Sequence, residues 1–96
     1  MSAMADIALR IVIAGRVQGV GFRAWTCGEA RRRHIRGWVR NRRDGTVEAL
    51  LIGAPEAVEA MTDACRRGPS SARVTEITRA NAADDSSIGF EEHPTI

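Results

Sequence analysis

The chain has 96 residues, a length that suits one domain with a single core and leaves little room for a second. Hydrophobic residues make up 44% and charged residues 27%, a balance typical of globular chains and not of disordered ones. The formal net charge is only +2, and the 14 basic residues are all arginine, a bias that suits anion recognition but can equally reflect codon usage. We therefore expect a single domain over residues 1–96, with residues 1–5 disordered.

The N-terminus and the cysteines bear on the compartment. Residues 1–6 lack the basic start and apolar core of a signal peptide, and no apolar run reaches membrane-spanning length. We therefore expect a cytoplasmic protein. Cys27 and Cys65 form no C-x-x-C pair, so we interpret both as reduced, partly buried thiols. A disulfide between them is left open only because both fall on predicted helices, and such bonds are rare in the cytosol.

The first half of the chain predicts three strands and a helix. Alternating apolar residues indicate a strand over Ile7–Ala14, and helical spacing after a glycine-rich loop indicates a helix over Phe22–Arg33. Arg36–Arg43 predicts a second strand. Asp44-Gly45 is typical of a two-residue hairpin turn, after which Thr46–Gly53 returns as the third strand.

The second half predicts a helix and two weaker strands. Pro55 suits the first turn of a helix whose apolar stripe ends at Gly68. Ala72–Arg79 predicts a fourth strand, residues 81–87 a polar turn, and Ile88-Gly89-Phe90 a short edge strand. The order β-α-β-β-α-β fits an α+β fold of the ferredoxin-like type, an antiparallel sheet with both helices on one face.

This topology brings two distant segments together. The first and second strands run parallel with the third between them, so their carboxyl ends lie at the same edge of the sheet. The glycine loop after the first strand and Asn41 in the second then become neighbours. Strands two places apart are separated by about 10 Å, which leaves room for a phosphoryl group and one water.

The loop between the first strand and the first helix has the features of an anion site. Gly15, Gly19 and Gly21 let the backbone take positive φ and point successive amide N–H groups into one concavity. The positive end of a helix dipole lies behind it, and Arg23 in the first turn offers a planar fork that fits two phosphate oxygens. The loop lacks the G-K-[ST] and G-x-G-x-x-G signatures of nucleotide sites. We therefore predict an oxyanion site, above all for phosphate; the alternative is that the glycines only turn the chain.

Two segments together resemble the acylphosphatase family. Gly15–Arg23 reads GRVQGVGFR and Gly37–Glu48 reads GWVRNRRDGTVE, in the family's order and spacing, with a weaker likeness through Gly68–Val74. The resemblance implies the same fold and a hydrolase that cleaves the carboxyl-phosphate bond of acyl phosphates. It implies two catalytic residues, Arg23 and Asn41, with Asn41 orienting the attacking water. The phosphoryl group is expected to be bound by Arg23 and by the backbone amides of Gln18, Gly19, Val20, Gly21 and Phe22.

The implied reaction needs positioning more than acid–base chemistry. The carboxylate of a mixed anhydride leaves readily, so charge stabilisation and a placed water do most of the work. Asparagine is not a base at neutral pH, so we expect the proton to go to a phosphoryl oxygen. We expect no cofactor and no metal, because His34 and His93 lack ligand spacing. The expected partners are a small acyl phosphate and inorganic phosphate, as product and inhibitor, with no membrane or nucleic acid, for a chain that acts as a monomer.

Two other functions stay open on the same fold. A nucleic-acid-binding module is suggested by the arginines of residues 31–33 and 40–43, but the first and third strands lack the aromatic residues that stack bases. A phosphate- or carbamoyl-phosphate-binding domain without turnover is the second alternative, and the presence of both Arg23 and Asn41 favours catalysis over it.

The chain departs from the family pattern at three places, one of which is Ala24-Trp25, which replaces the usual pair of aromatic residues after the arginine. Arg33-His34 stands where relatives commonly carry Leu-Gly, so we expect His34 to take a left-handed conformation after the first helix. The C-terminal Phe90–Pro94 lacks the usual apolar-basic ending, which leaves the pairing of a last strand open.

Overall fold

The computed structural model describes residues 5–96, and within them five strands form one sheet in the order β4-β1-β3-β2-β5. The elements are β1 Ile7–Arg16, α1 Phe22–Arg32, β2 Arg36–Asn41, β3 Val47–Gly53, α2 Pro55–Arg67, β4 Arg73–Asn81 and β5 Phe90–Glu92. The prediction of disorder concerns residues 1–5, of which residues 1–4 lie outside the described residues. Neither helix in the described part of the chain is long and apolar enough to cross a membrane.

The sheet has the expected ferredoxin-like topology. β3 pairs antiparallel with β1 and with β2, so that Ala49 lies between Ile11 and Val39. β1 and β2 are therefore parallel to each other, and their carboxyl ends lie at one edge of the sheet, as predicted. The sheet is mixed and not purely antiparallel, because β5 runs parallel to β2.

One hydrophobic core lies between the sheet and the helices. On β1, Leu9, Ile11 and Ile13 are buried, and α2 places Val58 and Met61 against the same cluster. Burying each such side chain favours folding by about 1.5–3 kcal/mol, so the alternating strand pattern and the helical stripe determine which faces meet. This packing fixes β1 and α1, the two elements that the glycine loop connects.

The hairpin between β2 and β3 differs from the prediction. Its turn covers residues 42–46, closed by the Arg42 N–H donating to the Thr46 carbonyl at 2.9 Å. Of the predicted Asp44-Gly45 pair only Gly45 has positive φ, 92°, so the two-residue turn was wrong. The physical reason is the Asp44 carboxylate, which accepts hydrogen bonds from the Thr46 N–H at 2.9 Å and Oγ1 at 2.6 Å. Such side-chain bonds favour a wider turn.

The element ends also differ in detail. β1 continues to Arg16 and stays paired with β4 across a register shift between Ala14 and Gly15, where Thr75 of β4 has no partner. His34 has a φ of 58°, which confirms the left-handed residue predicted after the first helix. The last strand begins at Phe90 and not at Ile88.

Residues 82–89 explain where β5 lies, because they connect β4 at one edge of the sheet with β5 at the other. Arg36 holds this connection by donating to the Ser87 carbonyl at 2.7 Å and to the Asp84 carboxylate at 2.6 Å. Phe90, which follows, is buried in the core beside Gly37. The connection is thus bound to β2 through Arg36 shortly before the edge strand begins.

Candidate active site

A cavity of about 140 Å³ lies at the sheet edge where β1 and β2 end. Its walls come from the loop after β1, the first turn of α1, the last residue of β2 and the last residue of β5. The lining residues are Val17, Gln18, Gly19, Gly21, Phe22, Arg23, Ala24, Asn41 and Glu92. A single water needs only about 10–15 Å³ of such space, so the cavity has room for an anion and a water together.

The loop supplies backbone donors to this cavity. Gly19 and Gly21 have φ of 74° and 78°, a region that favours glycine, and Gly21 is the N-cap of α1. No side chain caps the helix, and its first turn contains no acidic residue. The first N–H groups of the helix therefore have no side-chain acceptor, and the positive end of its dipole lies at the cavity wall.

Arg23 is the cationic side chain of the cavity. It lies in the first turn of α1, and its side chain keeps 38% of its accessible surface. Its nearest acidic partner is Glu92, with 3.8 Å between Arg23 Nη1 and Glu92 Oε1. That distance is too long for a hydrogen bond, so the pair attracts only through its charges. The guanidinium donors remain available to an anion.

Asn41 is the last residue of β2, opposite Val47 of β3. Its main chain is fixed, since its carbonyl accepts a hydrogen bond from the Ile96 N–H at 3.1 Å. Its side chain lines the cavity, and among the hydrogen bonds of residues 5–96 none uses the Asn41 carboxamide. The carboxamide is thus free to bind a molecule inside the cavity.

Gln18 contributes more than the amide that sequence reasoning assigned to it. Its Nε2 donates to the carbonyl oxygens of Arg42 at 2.7 Å and Thr46 at 2.9 Å. Those carbonyls belong to the turn that directly follows Asn41. The Gln18 side chain therefore links the loop of residues 18–22, which we call the anion cradle, to the end of β2. That strand end carries Asn41, a predicted catalytic residue.

Val20 and Phe22 anchor the loop by their side chains. Phe22 is 2% exposed, and its ring makes an edge contact with Trp25 at 5.5 Å between centroids. Val20 packs on the same core. Both side chains are directed to the core, so only their backbone amides are left for a ligand. Phe22 lines the cavity and Val20 does not, and the amide roles predicted for both stay predictions.

Glu92 is the charged cavity residue that the sequence did not predict, in addition to the apolar Val17 and Ala24. It lies on β5 beside Val39 of β2, in a parallel register that no local pattern in the sequence indicated. The sequence does not predict how the C-terminal segment pairs. The parallel pairing of β5 with β2 places Glu92 beside Val39, two residues before Asn41. At that position Glu92 lines the cavity next to Arg23.

The two cysteines do not serve as nucleophiles in this arrangement. Cys27 and Cys65 are both free and buried. Burial raises the pKa of both thiols, that of Cys65 to about 12, so both stay protonated at neutral pH. Within residues 5–96, no three His, Cys, Asp or Glu side chains come together as metal ligands.

Comparison with known proteins shows the family of this chain. The family model described as Acylphosphatase matches residues 9–92. The chain belongs to the acylphosphatase family. It is 58% identical to the acylphosphatase of Nitrobacter hamburgensis over 97% of this chain and 100% of that one. It is 51% identical to the acylphosphatase of Acidiphilium cryptum, over 93% of this chain and 98% of that one.

A solved acylphosphatase shares the fold. The crystal structure from Bacillus subtilis superposes with a TM-score of 0.88 at 36% identity, over 91% of this chain and 98% of that one. The ferredoxin-like fold predicted from the order of elements is therefore confirmed. The cavity described above lies in the matched region, because all its lining residues fall within residues 9–92.

Proposed function

We propose that this acylphosphatase family member hydrolyses the carboxyl-phosphate bond of small acyl phosphates to a carboxylate and inorganic phosphate. The observation that carries the proposal is the convergence of Arg23, an uncapped helix N-terminus and Asn41 on one cavity. The names of the relatives support the same activity. Arg23 and Asn41 are the two residues predicted to be catalytic.

The phosphoryl group binds in the cradle between the loop and Arg23. The amides of residues 18–22 and the guanidinium donate to its oxygens, and the transition state gains most because its charge is spread over those oxygens. A unit-charge pair at about 4 Å attracts by roughly 4 kcal/mol at an effective dielectric of about 20. Arg23 is partly exposed, so its own contribution is smaller than that figure.

Asn41 holds the attacking water. Its carboxamide can accept from the water with its oxygen and donate with its nitrogen, which orients a lone pair towards phosphorus. The carboxylate leaves without a protein acid, and the water proton goes to a phosphoryl oxygen. The product phosphate then occupies the same cradle, so inorganic phosphate is a competitive inhibitor.

The assembly and the compartment are part of the proposal. The cradle, Arg23 and Asn41 all come from one copy of the chain, which supports a monomeric enzyme. Two free buried cysteines fit a reducing compartment, as expected for the cytoplasm.

The nucleic-acid alternative is not favoured. The sheet residues of β1 and β3 include no aromatic side chain. Trp38 on β2 is already covered, since the His93 ring stacks on it at 5.3 Å and Arg40 lies 4.6 Å from its centroid. A base would have to displace these neighbours before it could stack.

The test is hydrolysis of benzoyl phosphate by purified protein and by a matched pair of arginine variants. Arg23→Lys keeps the charge but loses the planar fork, and we expect kcat/KM to fall by about 10²-fold with the fold unchanged. Arg16→Lys is the control, because Arg16 is exposed at the end of β1 and does not line the cavity. Absence of turnover by the wild type, or Arg23→Lys activity equal to that of Arg16→Lys, would refute the proposal.

A further inference from the structure

Glu92 is an acidic residue in the wall of a site that binds an anion. It shares the cavity with the loop, Arg23 and Asn41, and its side chain keeps 46% of its accessible surface. Its Oε1 is 3.8 Å from Arg23 Nη1. A negative group beside the guanidinium opposes the binding of a second negative group close to it.

The placement of Glu92 is specific to one face of β5. Glu92 lies beside Val39, whose side chain is in the core, whereas its neighbour Glu91 lies beside Trp38 on the other face. Successive residues of a strand point to opposite faces of the sheet. Two adjacent carboxylates therefore have different surroundings, and only that of Glu92 lines the cavity with Arg23.

The position of Glu92 beside Arg23 limits which substrates the cavity accepts. The phosphoryl oxygens accept hydrogen bonds from the loop amides and Arg23. The acyl part of the substrate then extends out of the cavity towards solvent. A charge carried a few atoms along that acyl part stays within the Debye length of Glu92, which is about 8 Å at physiological salt. An acyl carboxylate is repelled there, and an acyl ammonium is attracted.

We propose that Glu92 is a specificity-determining residue that makes the enzyme prefer acyl phosphates with a neutral or positively charged acyl part over those with an anionic one. The inference rests on the proposed function, since that function places the phosphoryl group on Arg23. Repulsion between Glu92 and the phosphoryl group is common to all substrates and cancels when two of them are compared. The ratio of their kcat/KM values therefore isolates the effect on the acyl part.

Butyryl phosphate and succinyl phosphate form a matched substrate pair, because their acyl chains have the same length and only the latter ends in a carboxylate. We expect wild type to prefer butyryl phosphate and Glu92→Gln to reduce that preference by about three- to tenfold, the size expected of one screened charge. Glu91→Gln removes the same charge from the opposite face and should leave the preference unchanged. In 1 M salt, where the Debye length falls to about 3 Å, the wild-type preference should shrink towards that of Glu92→Gln.

The outcomes separate the two proposals. Turnover of both substrates with the same preference in wild type and Glu92→Gln would refute the role of Glu92 alone, as would an equal shift in Glu91→Gln. Absence of turnover by wild type would instead refute the proposed function. Because the Glu92 side chain is half exposed on a short edge strand, Glu92→Gln should fold, and its melting temperature checks this directly.

Discussion

Removing the donors of Gln18 should uncouple the phosphate cradle from the catalytic strand end. Its Nε2 binds the carbonyls of Arg42 and Thr46, one residue and five residues beyond Asn41. Gln18→Met keeps the length of the side chain and deletes both hydrogen bonds. Gln18→Glu keeps the shape but sets a carboxylate oxygen against two carbonyl oxygens, so it should be the more harmful change.

The size of the effect follows from the two bonds. Each such hydrogen bond contributes about 1 kcal/mol net, so their loss costs roughly 2 kcal/mol of stability, or more if the carbonyls stay unsatisfied. If the whole of that energy serves to position the cradle relative to Asn41, the ceiling on the loss of kcat/KM is about thirtyfold. Phosphate affinity should change less, because the loop amides and Arg23 still converge on the anion.

Both quantities can be measured on the same protein samples. Urea unfolding gives the free energy of unfolding, and benzoyl phosphate hydrolysis with inorganic phosphate as inhibitor gives kcat/KM and the inhibition constant. We expect kcat/KM to fall in the order wild type, Gln18→Met, Gln18→Glu, with the inhibition constant rising less. Both variants staying within about twofold of wild type in kcat/KM and stability would show that these bonds do not position the site.

Two further predictions concern stability. His34 is exposed and has a φ of 58°, a left-handed conformation that glycine adopts without strain. His34→Gly should therefore stabilise the fold by about 0.5–1 kcal/mol, whereas the control His34→Ala should not. Equal melting temperatures for the two variants would refute this. Burial raises the pKa of Glu48, but hydrogen bonds from Arg40 at 2.9 Å and Arg10 at 3.0 Å outweigh it and hold that pKa below its usual value. The stabilisation is complete above the unfolded pKa of about 4.3 and is lost as the pH falls through the lower folded value. Glu48→Gln should therefore cost about 1–3 kcal/mol at pH 7 and show less loss of stability on acidification than wild type, measured by urea unfolding at each pH; parallel pH profiles would contradict this.

The parts of the fold that depend on side-chain periodicity were predictable. The alternation in Ile7–Ala14 and the stripe after Pro55 identify β1 and α2, because these patterns follow directly from which side chains must leave water. The parallel arrangement of β1 and β2 followed from the topology. The positive φ of His34 followed from the resemblance to relatives that commonly carry glycine at this position.

The parts that depend on individual side-chain contacts were not predictable. The turn at residues 42–46 is wider than expected because the Asp44 carboxylate binds Thr46, a bond that competes with the preference of Asp-Gly for tight hairpins. The register of β5 depends on contacts such as that between Arg36 and Ser87, which lie far apart in sequence. Glu92 enters the cavity only through that register.

The cavity itself was predictable in part. Gly15–Arg23 and Asn41 were assigned from their motifs and from the topology, and the structure brings the loop, Arg23 and Asn41 to one cavity. Their catalytic roles stay predictions. The linking role of Gln18 gave no signal in the sequence, since a glutamine side chain bound to two backbone carbonyls leaves no pattern of spacing or charge.

The most direct measurement is a comparison of kcat and phosphate affinity for Asn41→Ala on folded protein. We expect kcat for benzoyl phosphate to fall by about 10²-fold or more, while the Kd for inorganic phosphate stays close to that of wild type, because the loop amides and Arg23 remain in place. Asn41→Asp should weaken both, since it sets a carboxylate beside the bound anion. A kcat close to wild type in Asn41→Ala, or a loss that lies wholly in phosphate affinity, would contradict the role of Asn41 in holding the attacking water.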